Sequence, residues 1–288
     1  MSTHAPLNVS PIDELDVRVG DHVLHVNRVN EGAREAVLFL HGSGPGATAF
    51  SNWQLALPAL PEQFDGIAPD LLGYGQSSHP DPPPASMREW TQARVHALVG
   101  LLDELSIERT HVVGNSMGGR IALELLMQVP ERFDRVVLMG SSGAPTEPTP
   151  ELQRLMYFFQ NPTPAAMRQL ISWFSYDSQL VGDELRAIAE ERLAAAMRPD
   201  VRRSFESTWT PPFDMVVPPT ALRRITHPVL LIHGYNDAFV QLAASEYMAK
   251  HLPNFQMHVF GQTGHWAQIE QATGFNRIVT QFLAGDLG

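Results

Sequence analysis

One serine of the chain lies in a sequence context typical of an enzymatic nucleophile. Ser116 stands between two glycines in the stretch Gly114-Asn-Ser-Met-Gly118, after a short strand-like run at 111–113 and before a helical pattern. At such an elbow a sharp turn from strand to helix needs small neighbours, and it lifts the hydroxyl above the sheet. The first N–H groups of the helix then face any anion that forms beside the serine. The bare pattern also occurs in ordinary tight turns, but its place between a strand and a helix favours a nucleophile.

A serine hydroxyl is a weak nucleophile, so it needs a base within hydrogen-bond reach and an acid that orients the base. Asp237 and His265 each follow a predicted strand, at 229–232 and 257–260. Because the carboxyl ends of parallel strands meet at one edge of a sheet, we expect both side chains to lie near Ser116. The chain order Ser, Asp, His is also that of the α/β-hydrolase triad.

The loop His41-Gly42-Ser43-Gly44-Pro45-Gly46 follows the first long predicted strand, at 36–40. Its backbone N–H groups can supply one hydrogen-bond donor to an oxyanion, and the N–H of Met117 can supply the other.

Two alternatives stay open on the residues alone. Asp70 also follows a predicted strand and could be the acid in place of Asp237. The stretch from Gly42 to Ala47 also matches a loose dinucleotide-binding fingerprint, with Asp65 or Asp70 as a distant ribose acid. Pro45 and the separate elbow at Ser116 weigh against that second interpretation. Three further histidines are interpreted as surface or packing residues: His233, His251 and His258.

The elements that must position these residues alternate along the chain. Near-continuous apolar strands separated by helical patterns predict an α/β fold with a mostly parallel sheet covered on both faces. The segment 16–29 alternates polar and apolar residues and predicts an antiparallel edge hairpin. The alternation of strands and helices is interrupted at 145–218. This stretch is bounded by prolines and has a helical pattern, and it is too long for one crossover connection. We therefore predict an α/β-hydrolase core at 1–144 and 219–288 and an inserted helical cap at 145–218; two ordinary crossover helices are the alternative.

The composition is that of a globular protein, and its charge disfavours several partners. The chain has 288 residues, of which 44% are hydrophobic, and its formal net charge of −11 repels nucleic acid and anionic membrane surfaces. Cysteine is absent, which excludes a thiol nucleophile, disulfides and thiolate metal sites. No signal peptide is visible, and no apolar run approaches the roughly 20 residues of a membrane span. We expect a soluble, cytoplasmic protein without nucleic-acid or membrane partners.

The motifs together resemble one family. The family is that of the meta-cleavage product hydrolases, carbon–carbon bond hydrolases of bacterial aromatic-ring degradation. The stretches that carry the resemblance are His41-Gly-Ser-Gly-Pro-Gly-Ala47 with Ser51-Asn-Trp53, Gly114-Asn-Ser-Met-Gly-Gly119 and Gly264-His-Trp-Ala-Gln268. Asn115 before the serine and Trp266 after the histidine are its distinguishing marks, and it covers nearly the whole chain.

The resemblance implies an activity and a set of residues. The substrate would be an anionic 2-hydroxy-6-oxohexa-2,4-dienoate, cleaved by water to 2-hydroxypenta-2,4-dienoate and a carboxylic acid that bears the variable group. The implied residues are a catalytic triad of Ser116, Asp237 and His265, oxyanion donors at Ser43 and Met117, and substrate contacts at Gly42, Asn52, Asn115, Arg192 and Trp266. The resemblance implies no cofactor, and it implies a homo-oligomer, a dimer or larger.

Arg192 has support from periodicity as well. The helical pattern at 183–197 places Arg192 in one stripe with apolar residues at spacings of three and four. A cation on an apolar face is costly unless it is paired, so a ligand carboxylate would explain it. The alternatives are a side chain that extends to water or a pair with a cap carboxylate such as Glu184.

The variable group of the substrate and the alternative functions remain open. Five apolar residues could line the distal pocket and suggest an uncharged alkyl or aryl group, or they could pack cap against sheet: Met156, Trp173, Phe174, Trp209 and Phe239. A carboxylesterase or lactonase is the alternative enzyme. A non-catalytic binding protein of the same fold is the alternative outside enzymes, and the intact triad positions weigh against it.

Overall fold

The computed structural model of the chain describes residues 10–177, 185–211, 213 and 216–287. Within these ranges eight strands form one sheet. The strands are β1 (Asp13–Val19), β2 (His22–Val29), β3 (Glu35–Leu40), β4 (Phe64–Pro69), β5 (Thr110–Asn115), β6 (Phe133–Met139), β7 (Val229–Gly234) and β8 (Phe255–Phe260). The helices are α1 (Ala49–Trp53), α2 (Met87–Glu104), α3 (Met117–Gln128), α4 (Pro150–Met156), α5 (Pro164–Ser172), α6 (Leu185–Ala196), α7 (Pro199–Thr208), α8 (Pro219–Leu222), α9 (Ala243–His251), α10 (Ala267–Glu270) and α11 (Ala272–Leu283).

The sheet has the order β1-β2-β4-β3-β5-β6-β7-β8. β1 pairs with β2 and β2 with β4 in antiparallel fashion, and every later pair is parallel. The predicted α/β-hydrolase fold and its edge hairpin are therefore confirmed, although the hairpin begins at Asp13 rather than at residue 16.

The central strands are buried on both faces, which explains their near-continuous apolar sequences. In β7, Val229 and Leu231 belong to one hydrophobic cluster, whereas Leu230 and Ile232 belong to the other. Successive side chains of a strand point to opposite faces, so each face of the sheet has its own core.

The register brings the carboxyl ends of the central strands to one edge. Leu40 at the end of β3 lies opposite Gly114, Asn115 lies opposite Met139, and Met139 lies opposite Ile232. The loops after β3, β5, β6, β7 and β8 therefore leave the sheet on the same side, where the candidate residues are found.

Among the described residues, five helices lie between β6 and β7, and four of them, α4 to α7, fall within the stretch 145–218 that the sequence sets apart. Two of them begin with a Thr-Pro pair: the side chains of Thr149 and Thr163 accept from N–H groups of the first turn, and Pro occupies the first helical position. On the face toward the sheet domain, the indole of Trp90 on α2 donates to Ser207 on α7 at 2.8 Å. Over the residues that the structure covers, no helix is both long and apolar enough to cross a bilayer.

Candidate active site

Ser116 forms the junction of β5 and α3 in a conformation that side chains rarely adopt. Its φ of 56° and ψ of −115° lie outside the strand and helix regions, and such a residue persists only where the surroundings hold it. A β-carbon at Gly114 would lie 2.6 Å from the Gly118 carbonyl oxygen, and one at Gly118 would overlap the Leu40 carbonyl oxygen. The elbow therefore requires glycine at both positions, for the reason predicted from the sequence.

His265 is oriented by Asp237. The His265 Nδ1 lies 2.6 Å from Asp237 Oδ2, and the Oδ1 of the same carboxylate accepts from the N–H groups of Phe239 and Val240 at 2.8 and 2.9 Å. A carboxylate can only accept, so Nδ1 carries the proton and Nε2 is left free to accept one. This is the tautomer that a general base beside Ser116 needs.

The loop after β3 is held by His41 and Asn52. The Leu71 N–H donates to His41 Nε2 at 3.0 Å, so the proton is on Nδ1, which donates to the Gly42 carbonyl at 2.7 Å. Burial lowers the pKa of His41 to about 3, with the nearby charges of Arg94 and Arg192 adding to it, so the ring stays neutral. The Gly42 N–H donates to Asn52 Oδ1 at 2.9 Å. These bonds fix the turn that presents the next N–H, that of Ser43.

A narrow cavity lies between this edge of the sheet and the helices above it. Its lining consists of Gly42, Ser43, Gly44, Ala47, Ser51, Asn52, Asn115, Ser116, Leu152, Leu155, Phe174, Arg192, Phe239, His265 and Trp266. All predicted substrate contacts are among them, together with Ser43, Ser116 and His265. Asp237 and Met117 lie outside the lining, behind His265 and Ser116. The sequence analysis missed Leu152 and Leu155, whose spacing of three on α4 was the available signal.

Arg192 and Asn52 provide the polar end of the cavity. Arg192 Nε donates to the Pro45 carbonyl at 3.1 Å, and its guanidinium lies 5.8 Å from the centre of the Trp266 ring. Burial lowers the pKa of Arg192 to about 10, so the side chain remains a cation near neutral pH. Asn52 Nδ2 is buried and has no hydrogen-bond partner. A cation and an unused donor in one cavity are suited to a carboxylate.

The predicted position of Arg192 on α6 agrees with its packing. Ala189 and Ala196 on the same stripe are buried, as the periodicity indicates. Glu184, the alternative partner, lies outside the described residues. A β-carbon at Gly44 would lie 2.5 Å from Arg192 Nη2, so the guanidinium rests directly on the loop after β3.

An aromatic stack lines the cavity and begins beside Arg192, at Trp266. The Phe174 ring lies between Phe239 and Trp266, with centroid distances of 4.2 and 4.4 Å and interplanar angles of 18° and 5°. Among the other three predicted rim residues, none lines the cavity. Met156 is buried in the core, Trp173 faces a separate surface groove, and Trp209 packs near Phe205. These three residues are therefore not part of the cavity wall in the structure.

The two open assignments from the sequence are placed elsewhere in the structure. Asp70 accepts from the N–H groups of Ala49 and Gln76 at 2.6 and 2.9 Å, and it thereby fixes the turn after β4. The helix after the Gly42 loop, α1, has five residues, which is too short for the dinucleotide-binding unit, whose glycine-rich turn opens a full crossover helix.

His233 has a role that the sequence analysis missed. It is fully buried; its Nε2 donates to the Val240 carbonyl at 2.8 Å and its Nδ1 pairs with the Ser245 hydroxyl at 2.7 Å. The Nε2 also lies 3.6 Å from Asp237 Oδ2. Burial lowers the pKa of His233, so a neutral ring supports the turn that carries Asp237. Its position directly before Gly234, four residues before Asp237, could not by itself indicate this contact.

In the described part of the chain, no group of three or more histidine or acidic side chains could hold a metal ion. The arrangement can instead supply a serine nucleophile, an oriented base and backbone donors.

Comparison with known proteins gives one family. The model of the alpha/beta hydrolase family matches residues 37–278. The chain is 40% identical over 286 residues to a 2-hydroxymuconate semialdehyde hydrolase of a Pseudomonas species, an alignment that covers 98% of this chain and 97% of the relative. It is 37% identical over 268 residues to a 2-hydroxy-6-oxo-2,4-heptadienoate hydrolase of Pseudomonas putida, with coverage of 91% and 94%.

The solved structures that are similar to this chain include hydrolases with the same kind of name as the sequence relatives. A 2-hydroxy-6-oxo-6-phenylhexa-2,4-dienoate hydrolase from a Rhodococcus species superposes with a TM-score of 0.91 at 38% identity, covering 96% of this chain and 99% of that one. A meta-cleavage product hydrolase from Pseudomonas fluorescens, solved as a serine-to-alanine mutant complexed with acetates, gives a TM-score of 0.84 at 33% identity, with coverage of 97% and 99%.

Proposed function

We propose a carbon–carbon bond hydrolysis for this chain, which belongs to the alpha/beta hydrolase family and, within it, to the meta-cleavage product hydrolases. The substrate is a 2-hydroxy-6-oxohexa-2,4-dienoate, and the products are 2-hydroxypenta-2,4-dienoate and a carboxylic acid. One observation carries the proposal beyond membership of the family: the cavity that contains Ser116 and His265 also contains the cation of Arg192, which pairs with no carboxylate among the residues that the structure describes. A serine hydrolase of neutral esters has no use for that cation.

The substrate carboxylate binds between Arg192 and Asn52. The guanidinium supplies charge, and the free Nδ2 of Asn52 supplies a hydrogen bond. Asn115 Nδ2 is engaged with the Met139 carbonyl at 3.2 Å, so its Oδ1 faces the cavity as an acceptor for the 2-hydroxyl. The carbon chain then runs past Ser116 toward Phe239, Leu152 and Leu155.

The first stage moves a proton. His265 Nε2 takes the proton of the 2-hydroxyl and returns one to carbon 5, so that the dienol becomes a ketone conjugated to the carbon 3–4 double bond. The Asp237 carboxylate stabilises the imidazolium that forms in between. The bond between carbons 5 and 6 then lies between the carbon 6 carbonyl and a group that can accept its electron pair.

The second stage breaks the bond. Ser116 Oγ attacks carbon 6 while His265 takes its proton, and the carbonyl oxygen becomes an anion between the N–H groups of Ser43 and Met117. When the tetrahedral intermediate collapses, the electron pair of the carbon 5–6 bond passes to the dienolate, which takes up a proton. Water activated by His265 then hydrolyses the acyl-serine, releasing the carboxylic acid and restoring Ser116. No step requires a cofactor.

The aromatic stack limits the group carried by carbon 6. The Phe174 ring already occupies the space between Phe239 and Trp266. An aryl substituent could therefore not be accommodated there unless Phe174 moved. We therefore infer that the preferred substituent is hydrogen or a short alkyl group. The names of the Pseudomonas relatives, a semialdehyde hydrolase and a heptadienoate hydrolase, agree with this size.

The test is a panel of ring-fission products with hydrogen, methyl, isopropyl and phenyl at carbon 6. Loss of the dienolate absorbance is followed for each, kcat/KM is compared, and the acid product is identified by mass. We expect cleavage of the panel with the smaller groups preferred, and no cleavage by Ser116→Ala. A protein that hydrolyses p-nitrophenyl acetate but cleaves no member of the panel is a carboxylesterase, and the proposal is then wrong.

A further inference from the structure

Arg94 is a cation buried in the core with no carboxylate beside it. It lies on α2 with 1% of its surface exposed, and among the residues that the structure describes no Asp or Glu is paired with it. Burial lowers the pKa of Arg94 to about 10, so the side chain is charged near neutral pH. An unpaired buried charge is costly, and a fold that retains one is expected to use it.

The groups around Arg94 solvate its charge without cancelling it. Nε donates to the Leu72 carbonyl at 3.0 Å and Nη2 to the Thr208 hydroxyl at 2.9 Å. The guanidinium carbon lies 4.5 Å from the ring centre of Trp90 and 5.1 Å from that of Tyr74. Neutral oxygens and aromatic faces attract a cation but carry no net charge. A positive potential therefore extends from Arg94 into its surroundings.

Arg94 reaches the candidate active site through Met117. Its Nη1 lies 3.5 Å from Met117 Sδ, and the Tyr74 hydroxyl lies 3.8 Å from the same sulfur. Met117 directly follows Ser116, and its N–H is the proposed first oxyanion donor. Arg94 also contributes, after burial itself, to the low pKa of His41, which agrees with a field that extends to the loop carrying Ser43.

We propose that Arg94 is a positioning residue of this site: it supports Met117 from behind and supplies a second fixed positive charge toward the oxyanion. The proposal rests on the proposed function in one respect: only a dienoate substrate brings a negative charge of its own in addition to the oxyanion. The dienoate enters with its carboxylate, which Arg192 neutralises, and the attack of Ser116 then adds an oxyanion. The imidazolium of His265 forms at the same time as the oxyanion, and Arg94 adds a fixed positive charge on the Met117 side of the site.

Arg94 could also have a purely structural role and only join the core to α7. Its bond to Thr208 lies beside the bond from Trp90 to Ser207, and both join α2 to α7. If its role is purely structural, substitution of Arg94 would change Tm, kcat and KM together, and its charge would be unimportant. A positioning charge would affect kcat more than KM, and lysine would substitute for it in part.

The experiment compares Arg94→Met, Arg94→Lys and Thr208→Val in the full-length protein. Thr208→Val removes the bond to α7 but retains the cation. For each variant kcat and KM are measured on the preferred dienoate and on p-nitrophenyl acetate, together with Tm. Arg94→Met should lower kcat roughly tenfold on both substrates with little change in KM, because that is the scale of a unit charge acting over about 12 Å at an effective dielectric constant near 20. Arg94→Lys should restore most of kcat, and Thr208→Val should lower Tm only.

Equal losses of kcat in Arg94→Met and Arg94→Lys, or a loss of the same size in Thr208→Val, would overturn the proposal and assign Arg94 a purely structural role. If Arg94→Met does not fold, Arg94→Gln replaces it, since its amide can still donate to the Leu72 carbonyl while lacking the charge. If neither neutral variant folds, Arg94→Lys and Thr208→Val decide: retained kcat in both supports the proposal, and loss in either at unchanged Tm contradicts it. An oxyanion forms on the ester as well, so a wild-type protein inactive on the dienoate but active on the ester would refute the proposed function alone.

Discussion

Replacing Arg192 by glutamine separates the two kinds of serine hydrolase that this fold could support. The guanidinium lies in the cavity, with a neutral carbonyl and the Trp266 ring as its contacts. A dienoate brings a carboxylate to that cation, whereas a p-nitrophenyl acyl ester brings no charge. We therefore expect Arg192→Gln to reduce kcat/KM on the dienoate and to leave the rate on the ester nearly unchanged.

The size of the loss follows from what remains when the cation is removed. Truncating one partner of a buried charge pair costs about 2–5 kcal/mol, which at 1.36 kcal/mol per decade is about 30- to several-thousand-fold in kcat/KM. Asn52 would still donate to the carboxylate. This remaining bond places the expected loss in the lower part of that range, at about 30- to 300-fold. Arg192→Lys should lose less, since it keeps the charge but not the planar fork.

Both substrates are assayed on one preparation of each variant, with a melting curve to check folding. Arg186→Ala is the matched control, because Arg186 lies on the same helix, is exposed and does not line the cavity. Equal losses on dienoate and ester in Arg192→Gln would mean that Arg192 supports the helix rather than the ligand. An unchanged rate on the dienoate would remove the reason to expect an anionic substrate.

Three further predictions concern the nucleophile, the acid and the aromatic stack. Ser116→Ala should still bind the dienoate but lose up to about 10⁶ in kcat for cleavage, as followed by stopped-flow absorbance; product formed at the wild-type rate would exclude Ser116 as nucleophile. Asp237→Asn should slow turnover by up to about 10⁴-fold at an unchanged circular dichroism spectrum, because the imidazole would adopt the wrong tautomer. Asp70→Asn should lower Tm and spare kcat, and the reverse pattern would make Asp70 the acid. Phe174→Ala should raise the kcat/KM ratio of 6-phenyl over 6-methyl substrate by about tenfold or more, the scale of a few methylene groups in a pocket, and an unchanged ratio would mean that the stack does not limit the substituent.

The parts of the site that follow a local rule could be predicted from the sequence. A strand followed by Gly-x-Ser-x-Gly fixes where Ser116 lies, because steric contacts within a few residues and with Leu40 force that turn. The positions of Asp237 and His265 follow from the topology of the sheet. Each residue follows one of two adjacent parallel strands, whose carboxyl ends lie at the same edge. The stripe on α6 that carries Arg192 follows from the helical period.

The distal pocket could not be predicted because it depends on how helices from a distant part of the chain are set on the sheet. Phe174 and Trp173 are adjacent in the sequence, yet one stacks between Phe239 and Trp266 and the other faces a surface groove. No period within so short a stretch decides which of them turns inward. The same limit applies to His233, whose importance lies in a turn seven residues further along the chain.

The backbone contacts between the 174–176 segment and the loop of His265 indicate that substrate selection and catalysis share one support. The Phe174 carbonyl accepts from the N–H groups of His265 and Trp266 at 2.8 and 3.1 Å. Glu270 continues the junction, since its carboxylate accepts from Gly264 N–H and Tyr176 N–H, both at 2.8 Å. A β-carbon at Gly264 would come within 2.7 Å of the Phe174 carbonyl oxygen, so glycine is required at this contact. The residue whose ring we propose to restrict the substituent is thus also the one whose backbone holds the base, and a change of substrate range through the backbone of this segment would disturb His265. Adaptation to a larger substituent is then expected through side-chain changes at Phe174, Leu152 or Leu155, which line the cavity and can alter its size without altering those hydrogen bonds.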